Sequence, residues 1–399
     1  MIWKEVDIGQ VVELRQGFCV NKKSSHLVAE TGIPLLRITD MINGKQSIFI
    51  KEEISQKFIA KPDDIIFTRT GQVGLVFRNQ YGVIHNNCFT VSPVNEEITK
   101  DYLYWFLRND EIKKIANDFA SGAAQLDLSH GAFNNIKINY PIKLSIQRKI
   151  TSILSAYDDL IENNLKRIKL LEEKAQLHYK ELKQELNLTK NNRKEFVKDC
   201  LAYYIGGGWG EDDYQKKFSE SAFVIRGTDI PDVRQGNVLN VPLRYHKESN
   251  LISRKLRNGD IIFEVSNGQI NNIGRTVLIT DKLLCQFNNP VMCASFAKLI
   301  RCNGNVSPEY FYLFLNEGQE NGLLYQYKSN SANGINNFAF ETFINEVKII
   351  IPKDNELRLF TETVKPFFTF ISILGEQNTK LREARDILLP KLMNGEIEV

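Results

Sequence analysis

One long run without glycine or proline, IQRKITSILSAYDDLIENNLKRIKLLEEKAQLHYKELKQELN (146–187), decides the fold of this chain. Apolar residues recur along it in steps of three or four, from Ile146 to Leu186. That spacing places one apolar stripe along a helix, which is the pattern of a coiled-coil seam. A helix of about 40 residues is about 60 Å long at ~1.5 Å per residue, longer than a small domain is wide. We therefore predict a spacer helix rather than part of a compact core.

A second helix of the same kind lies at the end of the sequence. Residues 357–388 repeat the spacing of three and four, and LREARDILLPKL (381–392) aligns without a gap with LEEKAQLHYKEL (171–182). Two such helices can pair antiparallel, each burying the stripe that the other exposes. The alternative is two amphipathic helices that each pack on their own domain. Pro366 lies early in the second helix and should either kink it or mark a later start.

The rest of the sequence contains one unit twice. Five short matches follow the same order in both copies: RITD (37–40) with RGTD (226–229), DIIF (64–67) with DIIF (260–263), Asn86-Asn87 with Asn288-Asn289, Tyr102 with Tyr310, and Pro141 with Pro352. Chance similarity of composition is the alternative. Ordered matches indicate a diverged duplication with loop insertions.

These patterns predict an α+β chain with two pseudo-symmetric mixed α/β domains, separated by two long antiparallel coiled-coil helices. The predicted segments are a first domain at 1–145, a central spacer helix at 146–190, a second domain at 191–355 and a C-terminal spacer helix at 356–399. Antiparallel helices would carry the domains at opposite ends of a rod. That geometry suits binding of something extended at two places a fixed distance apart.

Composition sets only broad limits. A chain of 399 residues with 43% hydrophobic and 25% charged residues is typical of a globular protein of two or three domains. The net charge of +3 permits local basic patches without itself indicating nucleic-acid binding. The sequence has no CxxC pair, no signal-peptide layout and no apolar run near ~18 residues, so we expect reduced thiols, no membrane span and a cytoplasmic location.

Catalytic motifs are missing from the sequence. The five histidines form no HExxH, and there is no GxxxxGK[ST] phosphate loop. Asp260 and Glu264 resemble the spaced acids of a metal-dependent nuclease, but no lysine follows them and Thr68 replaces Glu264 in the first copy. Asn288-Asn289-Pro290 is close to a methyltransferase motif but lacks the aromatic residue that stacks a flipped base. We expect a non-catalytic chain that binds no metal or cofactor.

The loops between strands are instead rich in amide and basic side chains. Asn and Gln pair with adenine and Arg with guanine in the major groove, whereas Lys and Arg neutralise phosphate. Asn-rich loops are also ordinary turns, which is the simpler explanation for any one of these residues. The candidate DNA-binding residues are Lys22, Lys23, Arg37, Arg69, Gln72, Asn86, Asn87 and Gln125 in the first copy, and Arg226, Asn267, Gln269, Asn271, Asn272, Arg275, Asn288 and Asn289 in the second.

The whole chain resembles the specificity subunit of type I restriction-modification systems. The duplicated unit carries the resemblance, together with Gly-Ile-Pro at 32–34, GDIIF at 259–263 and QRKI at 147–150. The C-terminal LREARDILLPKLMNGEIEV (381–399) is the most specific of these features. One departure is that Leu357 replaces the helix-entry Gln147 in the second copy.

The resemblance implies a division of labour among subunits. Each domain would be a target recognition domain that reads one half of a bipartite double-stranded DNA sequence. The helices would set the half-site separation and dock two methyltransferase subunits, which carry S-adenosylmethionine; restriction or translocase subunits can join them. Candidate partner-binding residues on the helices are Tyr157, Ile161, Leu165, Ile168, Leu171, Leu374, Leu381 and Leu388. A coiled-coil scaffold with two protein-binding domains is the main alternative, and a self-contained enzyme is a third.

Overall fold

The structure, a computed structural model, describes residues 2–44, 46–122, 124–188, 193–330 and 334–399. It divides into two compact units. Unit 1 comprises Met1–Asp158 and Glu383–Val399, and unit 2 comprises Asp159–Arg382. The predicted end of the central helix at 190 and the start of the second domain at 191 lie outside the described residues.

Unit 1 combines short strands with short helices. Its strands are β1 (Trp3–Asp7), β2 (Val12–Gln16), β3 (Val28–Ala29), β4 (Ile33–Leu36), β5 (Phe49–Ile50), β6 (Ile59–Ala60), β7 (Ile65–Thr68), β8 (Val76–Phe77), β9 (Gly82–Ile84), β10 (Cys88–Pro93) and β11 (Lys137–Pro141). Its short helices are α1 (Ile38–Asn43), α2 (Lys100–Arg108), α3 (Asp110–Phe119) and α4 (His130–Asn134). The long helix α5 (Leu144–Leu188) begins in unit 1 and ends in unit 2.

Unit 2 has the same kinds of element in a similar order. Its strands are β12 (Arg193–Phe196), β13 (Leu201–Gly206), β14 (Glu220–Ile225), β15 (Leu243–His246), β16 (Ile261–Glu264), β17 (Ser266–Asn267), β18 (Thr276–Leu278), β19 (Val291–Cys293), β20 (Ala297–Cys302), β21 (Lys328–Ser329), β22 (Asn336–Phe338) and β23 (Lys348–Ile351). Its helices are α6 (Ile230–Arg234), α7 (Glu248–Arg254), α8 (Asp281–Leu284), α9 (Pro308–Glu320), α10 (Phe340–Glu346) and the long α11 (Asp354–Met393), which ends in unit 1.

Strand topology repeats between the units. The four-stranded sheet has the order β2-β10-β7-β8 in unit 1 and β13-β20-β16-β18 in unit 2. The pairs β1–β11 and β12–β23 are both antiparallel, and the pairs β4–β9 and β14–β19 are both parallel. The duplication inferred from the sequence is therefore present in the backbone.

The repeated DIIF motif leads into an inner strand of each four-stranded sheet, β7 in unit 1 and β16 in unit 2. All four residues of β7 and of β16 are buried, as expected for an apolar run that pairs on both sides. The aspartate before each strand is structural. Asp64 accepts from Arg15 at 2.8 Å, and Asp260 forms a bidentate pair with Arg301 at 2.7 and 2.8 Å.

The long helices pack against each other antiparallel within each unit. In unit 2, Asn164 contacts Asn378, and His178, further along α5, stacks on Phe367 with ring centroids 5.9 Å apart. In unit 1, Asp158 pairs with Arg385 at 2.5 Å. The expected fold class, two mixed domains with long antiparallel helices, is thereby confirmed.

Two helix-entry details qualify the symmetry of the repeats. Gln147 is fully buried, accepts from the backbone N–H of Thr99 at 2.8 Å and donates to the carbonyl of Pro141 at 2.9 Å, which fixes the start of α5. Leu357, its counterpart, packs instead against the apolar core of unit 2. Helix α11 begins at Asp354 and continues through Pro366, so the alternative of a later start was wrong.

Within the described residues, no helix combines the length and apolar character needed to cross a membrane.

Candidate nucleic-acid interface

Three loops of unit 1 meet at one end of its four-stranded sheet. The backbone N–H of Arg69 donates to the carbonyl of Asn87 at 2.8 Å, and that of Leu128 donates to the carbonyl of Arg69 at 2.9 Å. We call the described residues of 69–74, 85–87 and 121–128 the unit 1 loop cluster. The cluster brings together Arg69, Gln72, Asn86, Asn87 and Gln125, which the sequence analysis selected separately.

Arg69 holds the loops of this cluster together. Its guanidinium pairs with Asp127 at 2.7 Å, and the hydroxyl of Thr70 donates to the same carboxylate at 2.5 Å. The Thr70 hydrogen bond and the Arg69 charge hold the pKa of Asp127 below its ordinary value. Only 20% of the Arg69 side chain is exposed, so it acts mainly as a support for the loops. The sequence analysis missed both Asp127 and Thr70, because Asp127 lies more than fifty residues along the chain from Arg69 and Thr70.

Amides in the unit 1 loop cluster are free of internal partners. Among the described residues, no hydrogen bond involves the side-chain amide of Gln72, Asn86, Asn87 or Gln125. The backbone around them is nevertheless fixed: the N–H of Asn87 donates to Nδ1 of His85 at 3.3 Å. Unpaired amides on a fixed backbone can exchange hydrogen bonds with base edges at little ordering cost.

Arg37 and Arg226 form the same internal ion pair in the two units. Arg37 is bidentate to Asp40 at 2.8 and 3.0 Å, and Arg226 is bidentate to Asp229 at 2.9 and 2.8 Å. The hydrogen bond from Arg37 lowers the pKa of Asp40, as an opposite charge should. The repeated RxTD motif is therefore a structural clamp after β4 and β14, and it leaves these guanidinium groups little freedom to read guanine.

The corresponding loops of unit 2 also converge. The backbone N–H of Val265 donates to the carbonyl of Phe296 at 2.9 Å, and that of Phe338 donates to the carbonyl of Val265 at 2.8 Å. We call residues 265–275, 294–296 and 334–338 the unit 2 loop cluster. It contains the predicted Asn267, Gln269, Asn271, Asn272 and Arg275.

A buried carboxylate organises the unit 2 loop cluster. Glu264 has only 1% of its side chain exposed, and it accepts from Arg275 and from Asn267, each at 2.7 Å. Asn272 in turn donates to Asn267 at 3.4 Å and to Gln269 at 3.3 Å. Four of the predicted reading residues therefore bind each other or Glu264. Within the described chain, the side-chain amide of Asn271 makes no hydrogen bond.

The match between Asn86-Asn87 and Asn288-Asn289 was wrong. Arg69 and Thr70 donate to the carbonyl of Asn87, whereas Val265 and Ser266 donate to that of Phe296. Strand register agrees, because Cys88 pairs with Thr68 where Ala297 pairs with Glu264. Asn288 and Asn289 instead precede β19, and Asn289 accepts from Ser221 at 3.0 Å.

Phe296 is the residue that this error concealed. It occupies the position of Asn87, and 52% of it is exposed. A lone phenylalanine in a sequence is usually assigned to a core, so composition gave no signal. The strand register, which sequence alone left uncertain, identifies it.

The lysines and the helix residues complete the predicted set. Lys22 and Lys23 are exposed in the loop after β2. Ile161, Ile168 and Leu374 are buried within unit 2. The remaining candidates are half-buried on the same helices, and most pack against the apolar cores: Tyr157, Leu165, Leu171, Leu381 and Leu388. The helix seam is thus largely occupied inside the chain.

No cluster of three His, Cys, Asp or Glu side chains suited to a metal ion occurs in the part of the chain that the structure describes. What the two loop clusters share is a rigid polar surface at equivalent places of a repeated fold. Such a surface is suited to reading hydrogen-bond donors and acceptors.

Comparison with known proteins agrees with this description. Residues 2–173 match the type I restriction modification DNA specificity domain. The chain is 24% identical over 84% of its length to the type I restriction enzyme MjaIX specificity subunit of Methanocaldococcus jannaschii, covering 78% of that protein. It is 22% identical over its full length to the MjaVIII specificity subunit of the same organism, covering 93% of it. The crystal structure of a type I restriction-modification S subunit from M. genitalium aligns with a TM-score of 0.55 and 15% identity, over 98% of this chain and 96% of that one.

The first copy of the duplicated fold, within residues 2–173, is therefore similar to a type I restriction modification DNA specificity domain. The resemblance of the whole chain to the specificity subunits of type I restriction enzymes, expected from its sequence, is confirmed.

Proposed function

We propose that this chain is the non-catalytic DNA specificity subunit of a type I restriction-modification complex. Each unit would read one half of a bipartite double-stranded DNA target through its loop cluster. The observation that carries the proposal is the repeated sheet order, β2-β10-β7-β8 and β13-β20-β16-β18, with a polar loop cluster at the same end of both sheets. The first copy lies inside the DNA specificity domain match.

The loop clusters supply different reading groups in the two units. Unit 1 offers the free amides of Gln72, Asn86, Asn87 and Gln125, which favour adenine as a bonded base. Unit 2 offers Asn271 and the exposed ring of Phe296, beside a network centred on Glu264. Two half-sites of different sequence follow from this difference.

The long helices would set the distance between half-sites and dock two methyltransferase subunits. Their seam is largely buried, but Leu160, Leu170 and Leu177 of α5 are 52%, 62% and 56% exposed. Leu177 also lines a cleft of about 520 Å³ within unit 2, together with Tyr312. Exposed leucines on a charged helix are suited to a protein partner. We propose these side chains, rather than the seam, as the methyltransferase contact.

Chemistry would reside on the partner subunits. S-adenosylmethionine would be bound by the methyltransferase subunits and the adenine modified there, in the cytoplasm. Restriction or translocase subunits can join the same assembly. With a net charge of only +3, this chain would bind non-specific DNA weakly and depend on its partners for many phosphate contacts.

The decisive experiment is a methylome of the host, by modification-sensitive long-read sequencing, with and without this gene. We expect one bipartite adenine-methylated motif to disappear on deletion and to return on complementation. Complementation with Gln125→Ala and Asn87→Ala together should alter one half of the motif only. A matched control, Lys166→Ala on the exposed face of α5, should restore the original motif.

Two results would contradict the proposal. If the methylome is unchanged although a methyltransferase subunit copurifies with the chain, the DNA-reading role is wrong. If no methyltransferase copurifies and the chain does not bind duplex DNA, the protein-binding scaffold is favoured instead.

The proposed role of the long helices in setting the distance between half-sites has its own test. Inserting one heptad into both α5 and α11 should lengthen the non-specific gap and leave both half-site sequences unchanged, because the apolar seam keeps its period. A change in the half-sites themselves would show that the helices do not act as a spacer.

A further inference from the structure

Each loop cluster contains two parts that pair with each other. The part that follows the inner strand, residues 69–74 in unit 1 and 265–275 in unit 2, we call the reading loop. The part that returns later in the chain we call the arm. It comprises the described residues of 121–127 in unit 1 and of 329–337 in unit 2. The sequence analysis selected no residue of the unit 2 arm.

The unit 1 arm lies against its reading loop through backbone hydrogen bonds. The N–H of Gly71 donates to the carbonyl of Leu126 at 2.8 Å. Ser121 and Asp127 bond to each other through both backbone groups, at 3.0 and 2.8 Å, which closes the base of the arm. Loop and arm therefore form one narrow antiparallel ribbon.

Unit 2 has the same ribbon, formed by β17, β22 and β21 in that order. Ser266 of the reading loop lies opposite Asn337, and Asn337 lies opposite Ser329 at the other edge. In unit 1, by comparison, Asp127 lies between its two partners in the same way.

Both arms return to the sheet at the same point. The N–H of Leu128 donates to the carbonyl of Arg69 at 2.9 Å, and that of Phe338 donates to the carbonyl of Val265 at 2.8 Å. Arg69 and Val265 are therefore counterparts, and so are Leu128 and Phe338. The residues just before and just after them in the chain correspond as well.

One side-chain hydrogen bond holds each arm to its reading loop. Thr70 lies opposite Asp127, and its hydroxyl donates to Oδ1 of that residue at 2.5 Å. Ser266 lies opposite Asn337, and its hydroxyl donates to Oδ1 of that residue at 2.6 Å. The residue types differ between the units, yet the donor group, the acceptor atom and the place in the ribbon are the same.

Charge at this place is balanced in both units. The carboxylate of Asp127 is paired with Arg69 at 2.7 Å. In unit 2 the counterpart of Arg69 is Val265, which packs against the apolar core, and the counterpart of Asp127 is the neutral Asn337. Neither pair carries an uncompensated carboxylate, which suits a surface that faces phosphate.

The arms present polar groups beside the reading loops. Gln125 and Asn330 are exposed, and within the described parts of the chain no hydrogen bond involves either side-chain amide. A Cβ on Gly71 would lie 3.1 Å from Nε2 of Gln125, so this amide lies directly over the reading loop. In unit 2, the amide of Asn336 donates to the carbonyl of Gly268 at 3.1 Å. A narrow β-ribbon is one of the two elements that the major groove admits.

We propose that each arm reads bases together with its reading loop. The pair Thr70–Asp127 positions the unit 1 arm on its half-site. The pair Ser266–Asn337 positions the unit 2 arm in the same way. The inference rests on the proposed DNA-reading function. It adds the unit 2 arm, with Asn330, to the base-contacting surface, and it assigns the paired residues to positioning because their polar groups bind each other.

The test compares binding to two duplexes, one with the bipartite motif that the host methylome yields and one of shuffled sequence. The affinity of the full chain for each is measured by fluorescence anisotropy at one salt concentration. Thr70→Val and Ser266→Ala remove the positioning hydroxyl and alter little else. Each should lower the ratio of specific to non-specific affinity about tenfold, and selection from randomised duplexes should show lost preference in one half-site only.

Exchange between the units provides the conservative variant. Thr70→Ser together with Asp127→Asn gives unit 1 the pair that unit 2 has. The selected half-site should be retained, because the hydroxyl and its acceptor atom are both kept. Affinity for the shuffled duplex should rise, because Arg69 then carries an uncompensated charge.

Two further kinds of variant complete the design. Asn330→Ala removes a base-contacting amide and should change the preference at one position of the unit 2 half-site. Thr363→Val on α11 and Asn305→Ala after β20 remove exposed hydrogen-bonding side chains outside both loop clusters and should leave the affinity ratio unchanged. Circular dichroism melts of all variants monitor folding.

The outcomes separate this inference from the proposed function. If the unaltered chain discriminates between the duplexes and both hydroxyl variants discriminate equally well, the inference is wrong. An effect in one unit only would refute the equivalence of the pairs. Equal loss of affinity for both duplexes, with a lower melting temperature, would show that the pairs only stabilise the fold and would also overturn it. If the methylome yields no motif that depends on this gene, the DNA-reading function itself fails, and this inference fails with it.

Discussion

Asn164 donates a hydrogen bond to Asn378 over 3.0 Å across the buried seam that α5 and α11 form in unit 2. The two residues are 7% and 1% exposed, and within the described structure the Nδ2 group of Asn378 has no acceptor. An asparagine pair in an apolar seam fixes the register of the helices at a cost in stability. Sliding either helix by one turn would bury both amides unpaired.

Replacing one or both asparagines of this pair should show how much their hydrogen bond matters for the free energy of unfolding. The single change Asn378→Leu should lower the free energy of unfolding by about 1–3 kcal/mol, because it leaves the Asn164 amide buried without a partner. The double change with Asn164→Leu should recover that loss and be close to neutral or stabilising. Urea denaturation followed by circular dichroism measures both. Equal destabilisation by the single and the double variant would contradict the pairing.

The sequence predicted elements whose signal is local. The periodicity of 146–187 identified α5 to within a few residues, and the DIIF repeats identified β7 and β16, because each buries its own apolar pattern. Loop contacts depend on residues far apart in the chain. The Arg69–Asp127 pair and the Arg15–Asp64 pair join separate strands and loops, so no window of sequence contains them.

The strand register that aligns the two copies was the second feature that the sequence could not predict. The pairing of Asn86-Asn87 with Asn288-Asn289 failed because the segment before β19, residues 279–290, is longer than its counterpart before β9, residues 78–81, and amide residues recur by chance in Asn-rich loops. The hydrogen bonds of Phe296 identify the true counterpart of Asn87. An exposed aromatic residue at that point could not have been distinguished from a core residue by composition.

Arg226 should behave as a structural residue rather than a base reader. Asp229 has only 5% of its side chain exposed, so Arg226→Gln would leave a buried carboxylate poorly paired. We expect a loss of about 1–3 kcal/mol in the free energy of unfolding and an unchanged half-site sequence. Denaturation and selection from randomised duplexes check the two parts. Arg358→Gln, on an exposed arginine of α11, is the matched control and should change neither.

Phe296 should determine one base of the half-site read by unit 2. An exposed ring in the major groove favours the thymine C5-methyl group, whereas an amide favours adenine. Phe296→Asn should therefore shift the preference at one position from thymine to adenine, by about 1–3 kcal/mol of discrimination. Selection from randomised duplexes measures it, with Asn87→Phe as the reciprocal change in unit 1.

The control for this change is Ile252→Asn, which alters an exposed apolar residue on α7 that is 69% exposed. It should leave the selected sequence unchanged. A half-site unaffected by Phe296→Asn, or altered equally by Ile252→Asn, would refute the assignment.

His85 should make binding by unit 1 sensitive to mild acid. Its Nδ1 accepts from the N–H of Asn87, which requires a neutral ring. Burial, helped by the nearby Arg37, lowers the pKa of His85 below its ordinary 6.5. As the pH falls below 6.5 the unfolded chain takes up the proton first, so the folded loop loses stability until its own lower pKa is reached.

Affinity for the unit 1 half-site should therefore decrease as the pH falls through this window, whereas His85→Gln should flatten the profile. The unit 2 half-site is an internal control, because Ala294 occupies the equivalent position and cannot titrate. Parallel pH profiles for the two half-sites would exclude the His85 mechanism.

Unit 1 takes part of its core from the far end of the chain: Leu389, Leu392 and Met393 are buried with the apolar residues of its sheet, and Gly395 lies against the ring of Trp3. A ribosome makes these residues only after the whole of unit 2. The half of the protein that is translated first is therefore the last to be completed. A transcript cut short or a stalled ribosome would therefore release a polypeptide whose N-terminal half exposes apolar surface and is open to aggregation and to proteases.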